Sequence, residues 1–229
     1  MFKGKSFLAF IPARAGSKSI KNKNLQKVGD KTILARSIYH AKNSKFVDEI
    51  VVSTNGKSIR KEAQKNRVEV IKRPQSISGP ISSTEEAMLH AVEIKKHMDF
   101  IIVLQPTSPF RSPGLIDRCI ERMAEEDADS LVTCWKFHNF CFYRLLEDGH
   151  WLSTFDYCDR PMHEQLTLSE FRFFDCGNLY LTRIPFFREK KQRLGGKILV
   201  EQVSMLDAMQ IDSAEELRMC QNIANGEVE

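Results

Sequence analysis

No run in the 229-residue chain approaches the roughly 18 uninterrupted apolar residues of a membrane span. A zinc site is excluded as well. The six cysteines, Cys119, Cys134, Cys141, Cys158, Cys176 and Cys220, form no C-x-x-C pair, and no histidine stands at ligand spacing to them. They read as reduced thiols acting as small core residues. Glycine numbers only 11, and no two glycines are separated by a single residue, which rules out the dinucleotide fingerprint G-x-G-x-x-G. A Walker A loop is missing too. The short apolar run at residues 7–11 is broken at Pro12 and Arg14 and has no small-residue cleavage site after it. It reads as a first strand rather than a signal peptide, and a cytoplasmic protein is expected.

Acid is absent from residues 1–29, which hold Lys3, Lys5, Arg14, Lys18, Lys21, Lys23 and Lys27. The formal net charge is only +4, so the remainder is slightly acidic. A local cationic segment on a nearly neutral body suggests a small anionic ligand. A nucleic-acid partner is not expected, because such binders spread positive charge over a face. The alternative is a solvated basic terminus. Hydrophobic residues at 42% and charged residues at 28% exclude a mainly disordered chain.

Strand-like and helix-like stretches then alternate. Residues 7–12, 48–54, 68–71 and 100–104 read as short buried strands. Residues 31–43, 57–66, 83–97 and 113–125 read as helices, with Ser83 and Glu86 forming a capping pair. Uniformly apolar strands alternating with helices imply a mainly parallel sheet covered on both faces. In such folds ligands sit beyond the carboxyl ends of the strands. The loops after Pro12, Thr54, Ile71 and Leu104 are therefore the candidate site. Residues 130–185 are aromatic and alternating, which suggests antiparallel strands leaving the main sheet. Residues 197–203 read as a strand and 213–225 as a helix capped by Ser213.

The first loop, Ile11-Pro12-Ala13-Arg14-Ala15-Gly16-Ser17-Lys18 with Lys21-Asn22-Lys23-Asn24, carries the clearest chemistry. It follows a strand, Gly16 lets the backbone bend toward a ligand, and exposed N–H groups with Arg14 and lysines suit a polyphosphate. The loop resembles that of the CMP-sialic acid synthetase (acylneuraminate cytidylyltransferase) family. Val52-Ser53-Thr54-Asn55, Arg73-Pro74, Ser82-Ser83-Thr84-Glu85, Leu104-Gln105-Pro106-Thr107-Ser108-Pro109-Phe110-Arg111, Arg160-Pro161, Gly177-x-x-Tyr180, Gly195-Gly196-Lys197 and Ile211-Asp212 resemble its further motifs, in order.

The resemblance implies a three-layer, Rossmann-like nucleotidyltransferase fold over residues 1–229. It also implies a homodimer in which residues 135–175 cross to the partner. The implied reaction joins CTP to a 2-keto sugar acid with Mg²⁺. By the same resemblance Arg14, Ser17, Lys18, Lys23 and Asn24 hold the CTP phosphates and cytosine. Ala13 meets the base through its backbone, and Arg73 and Thr84 complete the nucleotide pocket. Lys18, Arg14 and Asp212 carry the catalytic step. Gln105, Thr107 and Ser108 face the sugar acid, and Asp212 holds the metal.

The chain departs from the family at several of these places. Gln210 stands where a second carboxylate is usual, so its part as a metal ligand is left open. Phe174 replaces an arginine that helps hold the sugar. Arg172, on the same expected strand face, and Arg160 are the candidates for the acid's carboxylate. Asn55 and Gly79 replace usual aspartates. The acceptor therefore stays open among sialic, legionaminic, pseudaminic and other ulosonic acids. A catalytically weakened nucleotide-sugar-binding homologue is the rival reading. The six histidines read as surface or helix residues, with His138 and His163 in the aromatic excursion as the exceptions, and Trp135 and Trp151 read as interface or core residues.

Overall fold

A computed structural model describes residues 1–17, 19–138, 143–153, 156, 158, 162, 164, 166–167 and 171–226. The elements run β1 (Phe7–Pro12), β2 (Lys27–Val28), β3 (Lys31–Thr32), α1 (Ile33–Lys42), β4 (Glu49–Thr54), α2 (Lys57–Lys65), β5 (Glu69–Lys72), α3 (Thr84–Ile94), β6 (Phe100–Leu104), α4 (Leu115–Glu125), β7 (Ser130–His138), β8 (Tyr143–Leu145), β9 (Trp151–Ser153), β10 (Phe171–Arg183), α5 (Ile184–Lys190), β11 (Ile198–Val203) and α6 (Ala214–Asn225).

A seven-stranded sheet takes the order β11-β7-β10-β6-β1-β4-β5. Every pairing in it is parallel except those of β10, which runs antiparallel to β6 and β7. The alternation along β1 explains the layers. Phe7, Ala9 and Ile11 point into a core with α1, α2 and α4, and Leu8 and Phe10 point into a second core with α3 and α5. All five are fully buried, and burying each larger one stabilises by about 1.5–3 kcal/mol. A third cluster, with Val28, Ile33, Phe110, Ile211, Leu217 and Cys220, docks α6 beside the basic loop.

Local sequence sets the helix ends. Ser83 accepts from the Glu86 amide while Glu86 accepts from the Ser83 amide, and Ser213 and Glu216 repeat this at α6. α4 starts at Leu115 instead of Pro113, because Gly114 occupies the cap in a left-handed conformation with φ 74°. α3 ends at Ile94, and the Lys95 ammonium turns to bridge Glu49 and Glu69.

The departure from the main sheet is narrower than the aromatic texture of residues 130–185 suggests. β7 and β10 are members of the main sheet, and Leu179–Arg183 pairs with β6 directly. Of residues 135–175, the two ends continue β7 and β10, and β8 and β9 form a separate two-stranded ribbon. Non-local pairing inserts β10 between β6 and β7, and periodicity along the chain does not encode such a partner.

Candidate active site

β1 is the switch point of the sheet. The chain proceeds from it to β4 and β5 on one side, then returns to β6 on the other. A cavity of about 440 Å³ opens at the carboxyl ends of these strands. Its wall is built from the loop after β1 (Arg14, Ser17, Ser19, Lys23, Asn24), from Arg73 after β5, from Ser82, Ser83 and Thr84 at the start of α3, and from Gln105, Pro106 and Thr107 after β6. Three of these residues are cations and none is acidic. The amino end of α3 adds its partial positive charge. The adjacent Glu85 is drawn away by Arg193, at 2.7 Å.

The loop after β1 is held from several sides. Ala13 is fully buried, and its N–H donates to the Ser53 carbonyl at 3.0 Å. The Ala15 N–H donates to Asn55 Oδ1 at 2.9 Å, so the amide at this departure from the family pattern ties the loop to the end of β4. Asn24 Nδ2 donates to the Arg14 carbonyl at 3.1 Å. Arg14 Nη1 donates to the Gly79 carbonyl at 2.6 Å. Gly16 takes φ +81°, and with Lys57 and Gly56 it lines a smaller neighbouring cavity of about 120 Å³.

Arg73 is 5% exposed. Its Nε donates to Ser53 Oγ and its Nη2 to the Ser53 carbonyl, both at 3.0 Å. No carboxylate pairs with Arg73 or Arg14 among the described residues. Burial, with Arg14 nearby, lowers the Arg73 guanidinium to about 10, so it stays charged at neutral pH. Buried positive charge that has no counterion among the described residues is stabilised by an anion supplied from outside.

On the cavity wall, Lys23 Nζ donates to Asp212 Oδ1 at 2.9 Å and to the Ile211 carbonyl at 3.0 Å. The Asp212 side chain is 65% exposed at the rim. Gln210 turns the other way, its amide nitrogen donating to the Cys176 carbonyl above Gly177. Among the described residues no group of three or more His, Cys, Asp or Glu side chains is placed to hold a metal. One exposed carboxylate beside a cationic cavity fits Mg²⁺, which commonly binds through one or two carboxylates and substrate phosphates.

The residues expected at the site divide clearly. Arg14, Ser17, Lys23, Asn24, Arg73, Thr84, Gln105 and Thr107 share one cavity. Ser108 is fully buried behind it. Arg172 lies exposed on β10 in register with Phe137, outside the lining. Lys18 and Arg160 lie outside the described residues. Ser19 and Pro80 line the cavity without having been singled out. Their only signal is adjacency, to the basic loop and to Gly79.

A cytidylyltransferase family model matches residues 8–141. "Post-translational flagellin modification protein B" of Campylobacter coli is 34% identical over 146 residues, covering 61% of this chain and 62% of that protein. "CMP-N,N'-diacetyllegionaminic acid synthase" of Legionella pneumophila is 35% identical over 122 residues, covering 50% of this chain and 51% of that one. The match thus spans under two thirds of either relative. A solved CMP:2-keto-3-deoxy-manno-octonic acid synthetase complexed with CTP superposes with TM-score 0.72 at 14% identity, covering 98% of this chain and 100% of that one, which shows the shared fold. No helix among the described residues is long and apolar enough to cross a membrane. With the matched segment running from β1 past β6 and through the cavity's loops, this chain belongs to the cytidylyltransferase family.

Proposed function

We propose that this protein transfers the cytidylyl group of CTP to the anomeric hydroxyl of a nonulosonic, sialic-acid-like 2-keto sugar acid, giving a CMP-sugar and pyrophosphate. One observation carries the reading: Arg14, Lys23 and Arg73 converge on a cavity with no acidic lining among the described residues, at the switch point of the sheet. The Legionella relative's name supports a legionaminic-type acceptor, and pseudaminic and other ulosonic acids belong to the same chemical class.

In this reading the acceptor oxygen bonds to the α-phosphorus as the bond from that phosphorus to the bridging oxygen breaks. The electron pair leaves with pyrophosphate. Such transfer depends on positioning and charge neutralisation. Arg14, Arg73 and Lys23 hold the phosphates, with Ser17, Asn24, Thr84 and the backbone near Ala13 completing the nucleotide side. Lys18 and Arg160 keep their expected parts at the pyrophosphate and the sugar carboxylate, and Arg172 is the alternative for the latter. Gln105 and Thr107 face the acid, with Ser108 behind them. Asp212 would hold Mg²⁺ and orient or take the proton of the attacking hydroxyl. Held there by Asp212, a divalent metal would supply charge neutralisation for the leaving pyrophosphate. Gln210 could add only its carbonyl oxygen, since its amide nitrogen is bonded to the Cys176 carbonyl. The exposed Leu145, Trp151, Leu152 and Phe174 support pairing of two copies through the ribbon and the outer half of β10.

A second reading, a nucleotide-sugar-binding homologue with weakened catalysis, is favoured by the engagement of Gln210 away from Asp212. Incubation with CTP, Mg²⁺ and a panel of 2-keto sugar acids, read by mass spectrometry, separates the two. A CMP-sugar from at least one acid is expected. Nucleotide binding without product from any of them would favour the second reading.

A further inference from the structure

Arg111 lies outside the cavity wall and is 5% exposed. Its guanidinium gathers four oxygens from three parts of the fold. Nη2 donates to the carbonyls of Gln105 and Asn178, each at 2.9 Å, and Nη1 donates to the Ser108 carbonyl at 3.0 Å and to Ser37 Oγ at 3.2 Å. The residues it joins are the loop after β6, strand β10 and helix α1. No carboxylate hydrogen-bonds to it among the described residues, and its Nε is buried without a partner. Asp207, buried beside Asn178, offsets the charge from a distance. Burial lowers the guanidinium to about 9. A charge held this way is an expensive means of filling space, since a neutral residue of similar volume would avoid the desolvation cost.

The loop explains its retention. Gln105 to Ser108 form a turn closed by the Ser108 N–H donating to the Gln105 carbonyl at 3.1 Å, and that same carbonyl accepts from Arg111. The front of the turn carries Gln105 and Thr107 into the cavity. The Thr107 carbonyl accepts from the Ile211 N–H at 2.8 Å, which places the Gln210–Asp212 segment against the same turn. The loop after β6 lies on one side of β1 in the sheet, and Arg73, which follows β5, lies on the other. A planar guanidinium can bridge oxygens on several sides at fixed angles, and a lysine ammonium cannot.

We propose that Arg111 is the positioning residue of the acceptor side: it fixes the turn through which Gln105 and Thr107 meet the sugar acid, without touching either substrate. The proposal rests on the cytidylyl-transfer reading for its kinetic part alone. Arg111→Lys is compared with the parent in two measurements. In steady-state kinetics KM for the sugar acid should rise about 10-fold or more, as expected for reacting groups displaced by a fraction of an ångström, while the Kd for CTP stays within about 2-fold. In hydrogen exchange the Ser108 and Ile211 amides should lose protection, while the amides of β1 and β4 keep theirs. Parallel loss on both substrates, or unchanged protection at Ser108 and Ile211, would overturn the proposal. If Arg111→Lys does not fold, Ser37→Ala removes one of the four bonds far from the cavity. Faster exchange at Ser108 is then expected, and unchanged exchange would overturn the proposal. A parent that turns over no sugar acid would sink the proposed function, and the exchange measurement would still decide the role of Arg111.

Discussion

Lys23 and Asp212, 189 positions apart in the chain, meet at 2.9 Å beside the cavity that Lys23 lines. The pair joins the loop after β1 to the segment that starts α6, so phosphate-binding and metal-binding candidates share one contact. Lys23 is 12% exposed at its side chain and Asp212 65%. The carboxylate is therefore free to turn toward an incoming ion while the ammonium is confined to the cavity wall.

Asp212→Asn tests this division. Turnover should fall about 10²-fold or more, as for loss of a principal electrostatic group. CTP affinity measured by calorimetry in the presence of EDTA should hold or rise, because Lys23 is released. Wild-type turnover in the variant would remove Asp212 from the mechanism.

Arg73→Met separates binding from stability. The side chain keeps its length and loses its charge, so CTP affinity should drop about 10–100-fold, the scale of one or two charge-assisted hydrogen bonds. The melting temperature should be no lower than the parent's, since an uncompensated buried charge has been removed. A clear loss of stability with intact CTP affinity would mark Arg73 as a structural residue.

Much of this arrangement is legible in the chain itself. The apolar strands, the Ser83 and Ser213 caps and the acid-free first 29 residues are local features, and the fold places their loops where a parallel sheet binds ligands. Long-range closure is not legible in the same way. Nothing local in Gln210 signals that its amide is engaged by Cys176, and nothing in Arg111 signals that its partners are three carbonyls and a hydroxyl instead of a phosphate. Arg172 illustrates the limit from the other side. Alternation groups it with Phe174, but residues 172–175 are all exposed and lie outside the cavity lining.

Gly177 supplies a steric prediction. It takes φ +63° at the β10 irregularity, and a Cβ there would collide with the Gln210 amide and press on Gln105 Oε1 at 3.3 Å. Gly177→Ala combines a disfavoured backbone with that collision and should cost about 1–3 kcal/mol. For a chain of this size the melting temperature should fall by several degrees, roughly 2–4 °C per kcal/mol. An unchanged melting temperature would show that the Gln210 side chain readily moves aside.

His40 predicts a pH dependence of stability. Burial, reinforced by Arg111 and Arg36, lowers its imidazole to about 3. The folded state thus binds fewer protons than the unfolded state between pH 3 and roughly 6.5, the ordinary histidine value. Stability from this source is complete above the upper limit and declines as pH falls below it. Melting temperatures at pH 7.0 and about 5.5, above most carboxylate titration, should differ less in His40→Gln than in the parent. Identical pH slopes in the two proteins would refute a neutral, desolvated His40.

Pyrophosphate release at saturating sugar acid, with CTP or ATP as the nucleotide, decides whether this chain is a cytidylyl transferase of sugar acids. Release should require both the acid and CTP, with ATP turned over far more slowly. Equal rates with the two nucleotides, or release independent of the acid, would contradict this activity.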